Sequence, residues 1–313
     1  MSKIYSKING TGSYLPDKIL TNYDLEKLVD TTHEWIYERT GIVQRHIASD
    51  NESSVDMAYS SSLEALKKSN ISVDQIDMIV VATTTPERKF PSSAVLLQNK
   101  LKIEKGFAFD VNAACTGFVY AIDIADKYIK SGLVKNALVV GTEKITSLLD
   151  WKDRNTCVLF GDGAGTVVLS ASDQAGILSN TIGSNGSYKD LLTVNTDPEY
   201  IEMKGNDVFK IAVNTMGKLA VSTLKENNMN IDQVDWLIPH QANSRIINAI
   251  AKKISLPNDK VIMTVDKHGN TSAASIPLAL DDANKRGVLR SNHIIMFEAF
   301  GAGFTWGSTL LKF

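Results

Sequence analysis

Three side chains far apart in this sequence belong to types that together can do nucleophilic chemistry on a carbonyl: Cys115, His240 and Asn270. Cys115 stands in AFDVNAACTGFVY, where a strand-like run breaks at Asn-Ala-Ala and restarts as a helical pattern. Free backbone N–H groups and the positive end of a helix dipole favour thiolate at such a place, and a thiolate is a good nucleophile. Ala113, Ala114 and Gly117 around it leave room for a substrate carbonyl. His240 closes the apolar run VDWLIPH, at the carboxyl end of an expected strand, where open α/β sheets bind ligands. Asn270, in DKHGNTSAASIP, follows a glycine turn and feeds a helix rich in small residues, a position where Asn also serves as an N-cap. Each residue alone has an ordinary structural role; together they describe a nucleophile with two hydrogen-bond partners. The other cysteine, Cys157 in TCVLF, reads as a small core residue.

The elements that must bring these residues together repeat along the chain. VDQIDMIV at 73–80 matches IDQVDWLI at 231–238, each following a helical pattern and entering an apolar strand. CTGFVYAIDIADKYIKSG runs from Cys115 to Gly132, and NTSAASIPLALDDANKRG covers the same span from Asn270 to Gly287. The strands ALVVG and HIIMF follow, and then FGDGAGTVVL and FGAGFTWGSTLL. Alternating strands and helices imply an α/β fold of mixed, largely parallel sheets covered by helices. We expect two pseudo-duplicated halves, residues 1–171 carrying the cysteine and 172–313 carrying the histidine and asparagine. A pseudo-twofold would turn both helix starts toward one central cleft.

Composition narrows the setting. With 313 residues, 43% of them hydrophobic, and a net charge of -2, the chain suits a globular protein without a general pull toward nucleic acid or anionic membranes. No apolar run approaches a membrane span and the first residues lack a signal-peptide core, so a cytoplasmic location is expected. Two cysteines 42 positions apart, and five histidines without ligand spacing, argue against a disulfide framework or a metal site.

Eight segments in order, GTGSYLPDKILTN, HEWIYERTGIVQRHIA, VVATTTP, AFDVNAACTGFVYA, FGDGAGTVVL, WLIPHQAN, KHGNTSAASIP and EAFGAGFTWGS, are spread along the chain from Gly10 to Ser308. They resemble β-ketoacyl-acyl carrier protein synthase III, the condensing enzyme that starts bacterial type II fatty acid synthesis. The resemblance implies a thiolase fold, a homodimer, no cofactor, and catalytic roles for Cys115, His240 and Asn270. It further implies a ping-pong reaction in which Cys115 takes an acyl group from a short acyl-CoA, acetyl-CoA by default, and malonyl-acyl carrier protein then decarboxylates and attacks it. By the same resemblance the backbone N–H groups of Cys115 and Ala302 form an oxyanion hole, and Phe300 packs against the site. This chain has Gly301-Ala302-Gly303 where three glycines are frequent, and Thr116 where Ala or Ser often follows the cysteine. Ala302 must therefore keep an ordinary backbone conformation.

Trp35 and Arg39, four apart on one helical face, can hold an adenine ring. The resemblance places them on CoA with Arg154 beside them, although an exposed ion pair would look the same. It also sends Phe90 across a dimer to the partner's acyl pocket. Arg245, Lys252 and Lys253, on the helical pattern after His240, are candidates for docking the acidic carrier protein. The order Cys, His, Asn also suits a papain-like hydrolase, but the duplicated α/β pattern does not. A non-catalytic acyl-CoA-binding protein would need none of the three. A sister condensing enzyme of specialised metabolism, using another acyl primer, is the alternative nearest in kind.

Overall fold

The structure, a computed structural model, describes residues 4–313. Two mixed sheets form its frame. The first has the strand order Tyr5–Tyr14, Gly163–Ser172, Asn136–Glu143, Met78–Ala82, Phe107–Val111; the second runs Trp236–Pro239, Ile294–Gly301, Thr305–Lys312, Ile177–Ser184. Pairing is parallel where helical crossovers connect strands, as between Met78–Ala82 and its two neighbours and between Trp236–Pro239 and Ile294–Gly301. It is antiparallel where tight connections close, as in the hairpin joining Gly301 to Thr305.

Helices Gly117–Lys130 and Ser275–Lys285 lie between the sheets. Each must be apolar on two sides, which is why GFVYAIDIADKYIK buries nine of its positions instead of a single stripe. Phe118, Ile122, Ile276 and Ala279 from these helices share one core with Val80 and Val139 of the first sheet and Ile238 and Phe297 of the second. Close approach depends on small residues. A Cβ at Gly141 would lie 2.3 Å from the Ala273 carbonyl oxygen, so only glycine lets the second half's turn rest on the first sheet. Helices Ser54–Ser69 and Ser93–Lys100 cover the outer face of the first sheet. Gly205–Glu226 and Ser244–Lys253 cover the second. The result is five alternating layers.

The repeat is present in three dimensions, with a different residue match from the one the terminal glycines suggest. Val73–Gln75 corresponds to Ile231–Gln233, Met78–Ala82 to Trp236–Pro239, and Asn136–Glu143 to Ile294–Gly301. In the same frame Ala114–Thr116 corresponds to Ser272–Ala274, so Cys115 stands opposite Ala273 and not Asn270. The discrepancy is one helical turn: the first buried helix has 14 residues and the second 11. Equivalent residues Ala114 and Ser272 even share a left-handed backbone, φ 47 and 49. Such strain in a non-glycine residue costs about 1–3 kcal/mol and persists where the surroundings enforce it.

Candidate active site

The two tight turns meet. After the strand Phe107–Val111 the chain turns at Asn112, whose side-chain oxygen accepts the Ala114 N–H, and Cys115 sits in the short 3-10 turn Ala114–Thr116 ahead of the helix proper. The second half clamps this turn. Thr305 donates its hydroxyl to the Ala113 carbonyl at 3.0 Å and meets the Thr116 hydroxyl, and a Cβ at Gly301 would fall 2.9 Å from the Cys115 nitrogen. Thr116, the unusual residue after the cysteine, is thus buried and occupied.

His240 follows strand Trp236–Pro239, and its N–H donates to the Glu298 carbonyl at 2.7 Å. Its Nδ1 lies 2.7 Å from the Ser275 hydroxyl oxygen. That oxygen also accepts the Gln241 N–H, and Nδ1 is the acceptor within reach of the serine proton, so the tautomer with the ring proton on Nε2 satisfies both groups. Burial pushes the imidazole down to about 4, so it is neutral at physiological pH. Gln241, fully used, fixes the loop: its amide donates to the Pro239 and Ile262 carbonyls and its oxygen accepts the Thr264 and Val265 N–H groups.

Asn270 is held by its own backbone, donating to Leu159 O at 2.8 Å and accepting from Gly161 N at 3.0 Å. Its side-chain oxygen accepts the Ser272 N–H at 2.9 Å, which orients the amide and leaves its Nδ2 hydrogens as donors. Cys115, His240 and Asn270 line one cavity of about 720 Å³, together with Phe160, Phe300 and Gly301.

The cysteine differs from the expected thiolate. Burial, with Glu143 adding like-charge repulsion, pushes the Cys115 thiol up to about 11, against a smaller opposing pull from the Ser272 hydroxyl. The half-buried residue therefore rests as a thiol. Cys157 is fully buried, as its sequence context indicates.

The remaining candidates divide. Trp35 and Arg39 line the same cavity, with the Arg39 guanidinium 4.7 Å from the indole centre. Arg154 covers the indole at 5.1 Å while also donating to the Asp30 carbonyl, so an aromatic ring enters between them only if that guanidinium swings aside. Ala302 has an ordinary backbone, unlike Gly303 at φ 126. Among the described residues neither its N–H nor that of Cys115 meets a backbone acceptor. Phe300 stacks edge-on with Phe304 at 4.4 Å and forms cavity wall. Phe90 does not line its own chain's cavity and is 83% exposed. Arg245 lies at the cavity over Phe209, and Lys252 is exposed on the same helix. Lys253, also exposed, lies along Gly217 and donates to Asn214. Sequence reasoning missed Ser272, Ser275 and Glu143, and also Lys210, which reaches the cavity from the preceding helix.

A comparison with known families matches residues 109–186 to the 3-oxoacyl-[acyl-carrier-protein] synthase III model and residues 224–313 to its C-terminal model. The β-ketoacyl-[acyl-carrier-protein] synthase III of Thioalkalivibrio sulfidiphilus is 54% identical, over 99% of both chains. This chain belongs to that family. The synthase III of Vibrio cholerae is 51% identical over 99% of this chain. The crystal structure of the Aquifex aeolicus synthase III superposes with a TM-score of 0.97 at 48% identity, covering 98% of this chain and all of that one. The thiolase-like layering described above is therefore the synthase III fold, and both matched segments carry parts of the cavity: Cys115 in one, His240 and Asn270 in the other.

Proposed function

We propose that this chain condenses a short acyl group, delivered as acyl-CoA and by default acetyl-CoA, with malonyl-acyl carrier protein. The products are 3-oxoacyl-acyl carrier protein, CoA and carbon dioxide, the opening condensation of type II fatty acid synthesis. The observation that carries this reading is the meeting of one thiol with two neutral N–H donors in one cavity. In the first half-reaction Cys115 Sγ attacks the acyl carbon and the CoA sulfur leaves. The N–H groups of Cys115 and Ala302, which meet no backbone acceptor among the described residues, are suited to the oxyanion formed there. In the second, the malonyl carboxyl leaves as carbon dioxide and its electron pair moves onto the thioester oxygen. His240 Nε2–H and Asn270 Nδ2–H stabilise that charge, which exists only near the transition state. The carbanion then bonds to the acyl carbon and expels Cys115 as thiolate. A cationic imidazole is not required, and the neutral ring set by burial donates without having to lose a proton. Phe300 forms the wall beside these donors.

Trp35, Arg39 and Arg154 would hold the adenine of CoA, with acyl-CoA a substrate and no cofactor called for. The acidic carrier would dock on Arg245 and Lys252, with Lys210 beside them and Lys253 contributing charge from the margin. A homodimer is supported by the edge strand Phe107–Val111, which carries the exposed Phe107 next to Phe109 and Tyr128. Unpaired edges with apolar side chains are templates for pairing. In such a dimer the exposed Phe90 would complete the partner's acyl pocket. No helix among the described residues is long and apolar enough to cross a membrane, which fits work in the cytoplasm. The test is incubation with a panel of acyl-CoAs and malonyl-acyl carrier protein, with products and modified residue identified by mass spectrometry. Acylation at Cys115 and a 3-oxoacyl carrier are expected; CoA release by hydrolysis alone would overturn the reading.

A further inference from the structure

The condensing cycle has an unassigned proton. Cys115 rests as a thiol, yet it must attack as a thiolate, and His240 is already committed as a neutral donor through its Nε2–H. The turn Ser272–Ala274 packs against the turn that carries Cys115. Its Ser272 hydroxyl, which favours the ionised sulfur, donates to Glu143 Oε1 at 3.1 Å. Glu143 ends the strand Asn136–Glu143 and is wholly buried. Its carboxylate accepts from the Thr84 N–H and from the hydroxyls of Thr83, Thr84 and Thr85, the last at 2.7 Å. Among the described residues no cation pairs with this carboxylate. Lys144, next in the chain, turns its ammonium to the carbonyls of Ser49, Asp50 and Glu52. Among the carboxylates on the surrounding elements, Asp162 is engaged with Ala48 and Thr146, Asp110 with Ser93 and Ala94, and Asp56 with Lys100. Glu298, on the strand Ile294–Gly301, is buried with neither carboxylate oxygen hydrogen-bonded to a described residue, and burial raises it. Cys115 is the titratable group whose ionisation Glu143 opposes. A buried carboxylate without a counter-ion is a stronger base than one in water, and burial raises this one.

We propose that Glu143, acting through the Ser272 hydroxyl, takes the Cys115 proton during acyl transfer and returns it when condensation frees the thiolate. In acyl transfer the S–H bond breaks as its proton passes to the Ser272 oxygen, the Ser272 proton passes to Glu143, and the sulfur–acyl bond forms. The CoA thiolate leaves and takes a proton from solvent. In condensation the expelled Cys115 thiolate regains its proton by the reverse route, and Glu143 is again a carboxylate. The cycle takes up one proton from water, which balances conversion of the malonyl carboxylate to neutral carbon dioxide. Ser272 also orients Asn270 through its backbone N–H, so one residue joins the proton path to the decarboxylation donor.

The proposal rests on the condensing reading and is tested by following the pH dependence of each half-reaction in Glu143→Gln and Ser272→Ala. Ser272→Ala keeps the N–H that holds Asn270, so it carries the test if the glutamine variant does not fold. At pH 7 both variants should acylate Cys115 at least about tenfold more slowly than the parent protein, with rates rising about tenfold per pH unit as thiolate forms from bulk water. Carbon dioxide release by the already acylated variants should stay within about threefold of the parent, and Glu143→Asp should restore part of the parent profile. Parent-like acylation profiles in both variants would overturn the relay, as would equal loss of both half-reactions with the parent's pH slope. Failure of the unaltered chain to acylate Cys115 with any acyl-CoA would instead defeat the condensing reading.

Discussion

Replacing Asn270 with alanine separates the two half-reactions. The substitution removes one of the two side-chain donors aimed at the malonyl thioester oxygen, and loss of a single preorganised donor raises a barrier by about 2.7–4 kcal/mol, a factor of about 10² to 10³ in rate. The backbone bonds of residue 270 to Leu159 and Gly161 do not involve the side chain and survive. The change does leave the Ser272 N–H without its 2.9 Å acceptor, which costs about 1–3 kcal/mol of stability and lowers Tm by several degrees. Acylation uses backbone N–H groups and the Cys115–Ser272 pair, so it should fall only a few-fold. The assay is rapid-quench mass spectrometry of acyl-Cys115 beside carbon dioxide release from malonyl-acyl carrier protein. A loss of acylation as large as the loss of decarboxylation would refute the division of labour.

Burial holds His240 near 4 and His268 near 3, both below the ordinary value of 6.5. Between those values the unfolded chain binds protons the folded chain refuses, so stability is complete above about pH 7 and falls as the pH drops toward 4, by about 3 kcal/mol for His240 alone; denaturant melts from pH 7 to 4 check this, and a flat profile would contradict it. Arg154→Ala, which uncovers the Trp35 indole, should raise KM for acyl-CoA several-fold and leave kcat for the carrier half-reaction unchanged, read from steady-state kinetics. Gly301→Ala places a methyl 2.9 Å from the Cys115 nitrogen and should displace the nucleophile turn. Acylation should then fall by more than about tenfold with a destabilisation of about 1–3 kcal/mol, and normal acylation would show the hairpin to be more pliable than its packing implies.

Much of the site was legible because its residues lie where local sequence changes character. A strand pattern stopping at Asn-Ala-Ala, an apolar run ending in Pro-His and a glycine turn ending in Asn each mark a strand–helix junction, and repetition of the pattern placed the junctions in one cleft. Matching the terminal glycines, however, put Cys115 opposite Asn270, because a sequence repeat does not show that the second helix lost one turn. Lys252 and Lys253 looked equivalent on a helical face, yet Lys253 lies along Gly217, a contact made only when two helices cross.

What the sequence by itself determined was the kind of chemistry and the order of layers, since these follow from residue type and from periodicities of a few residues. What only the tertiary structure decided was protonation. The thiol of Cys115, the neutral ring of His240 and the buried carboxylate of Glu143 owe their states to how far water is excluded and to which hydroxyl lies beside them. Desolvation sums over neighbours brought from every part of the chain, Ser272 from one half and Glu143 from the other. No local stretch of residues encodes that sum.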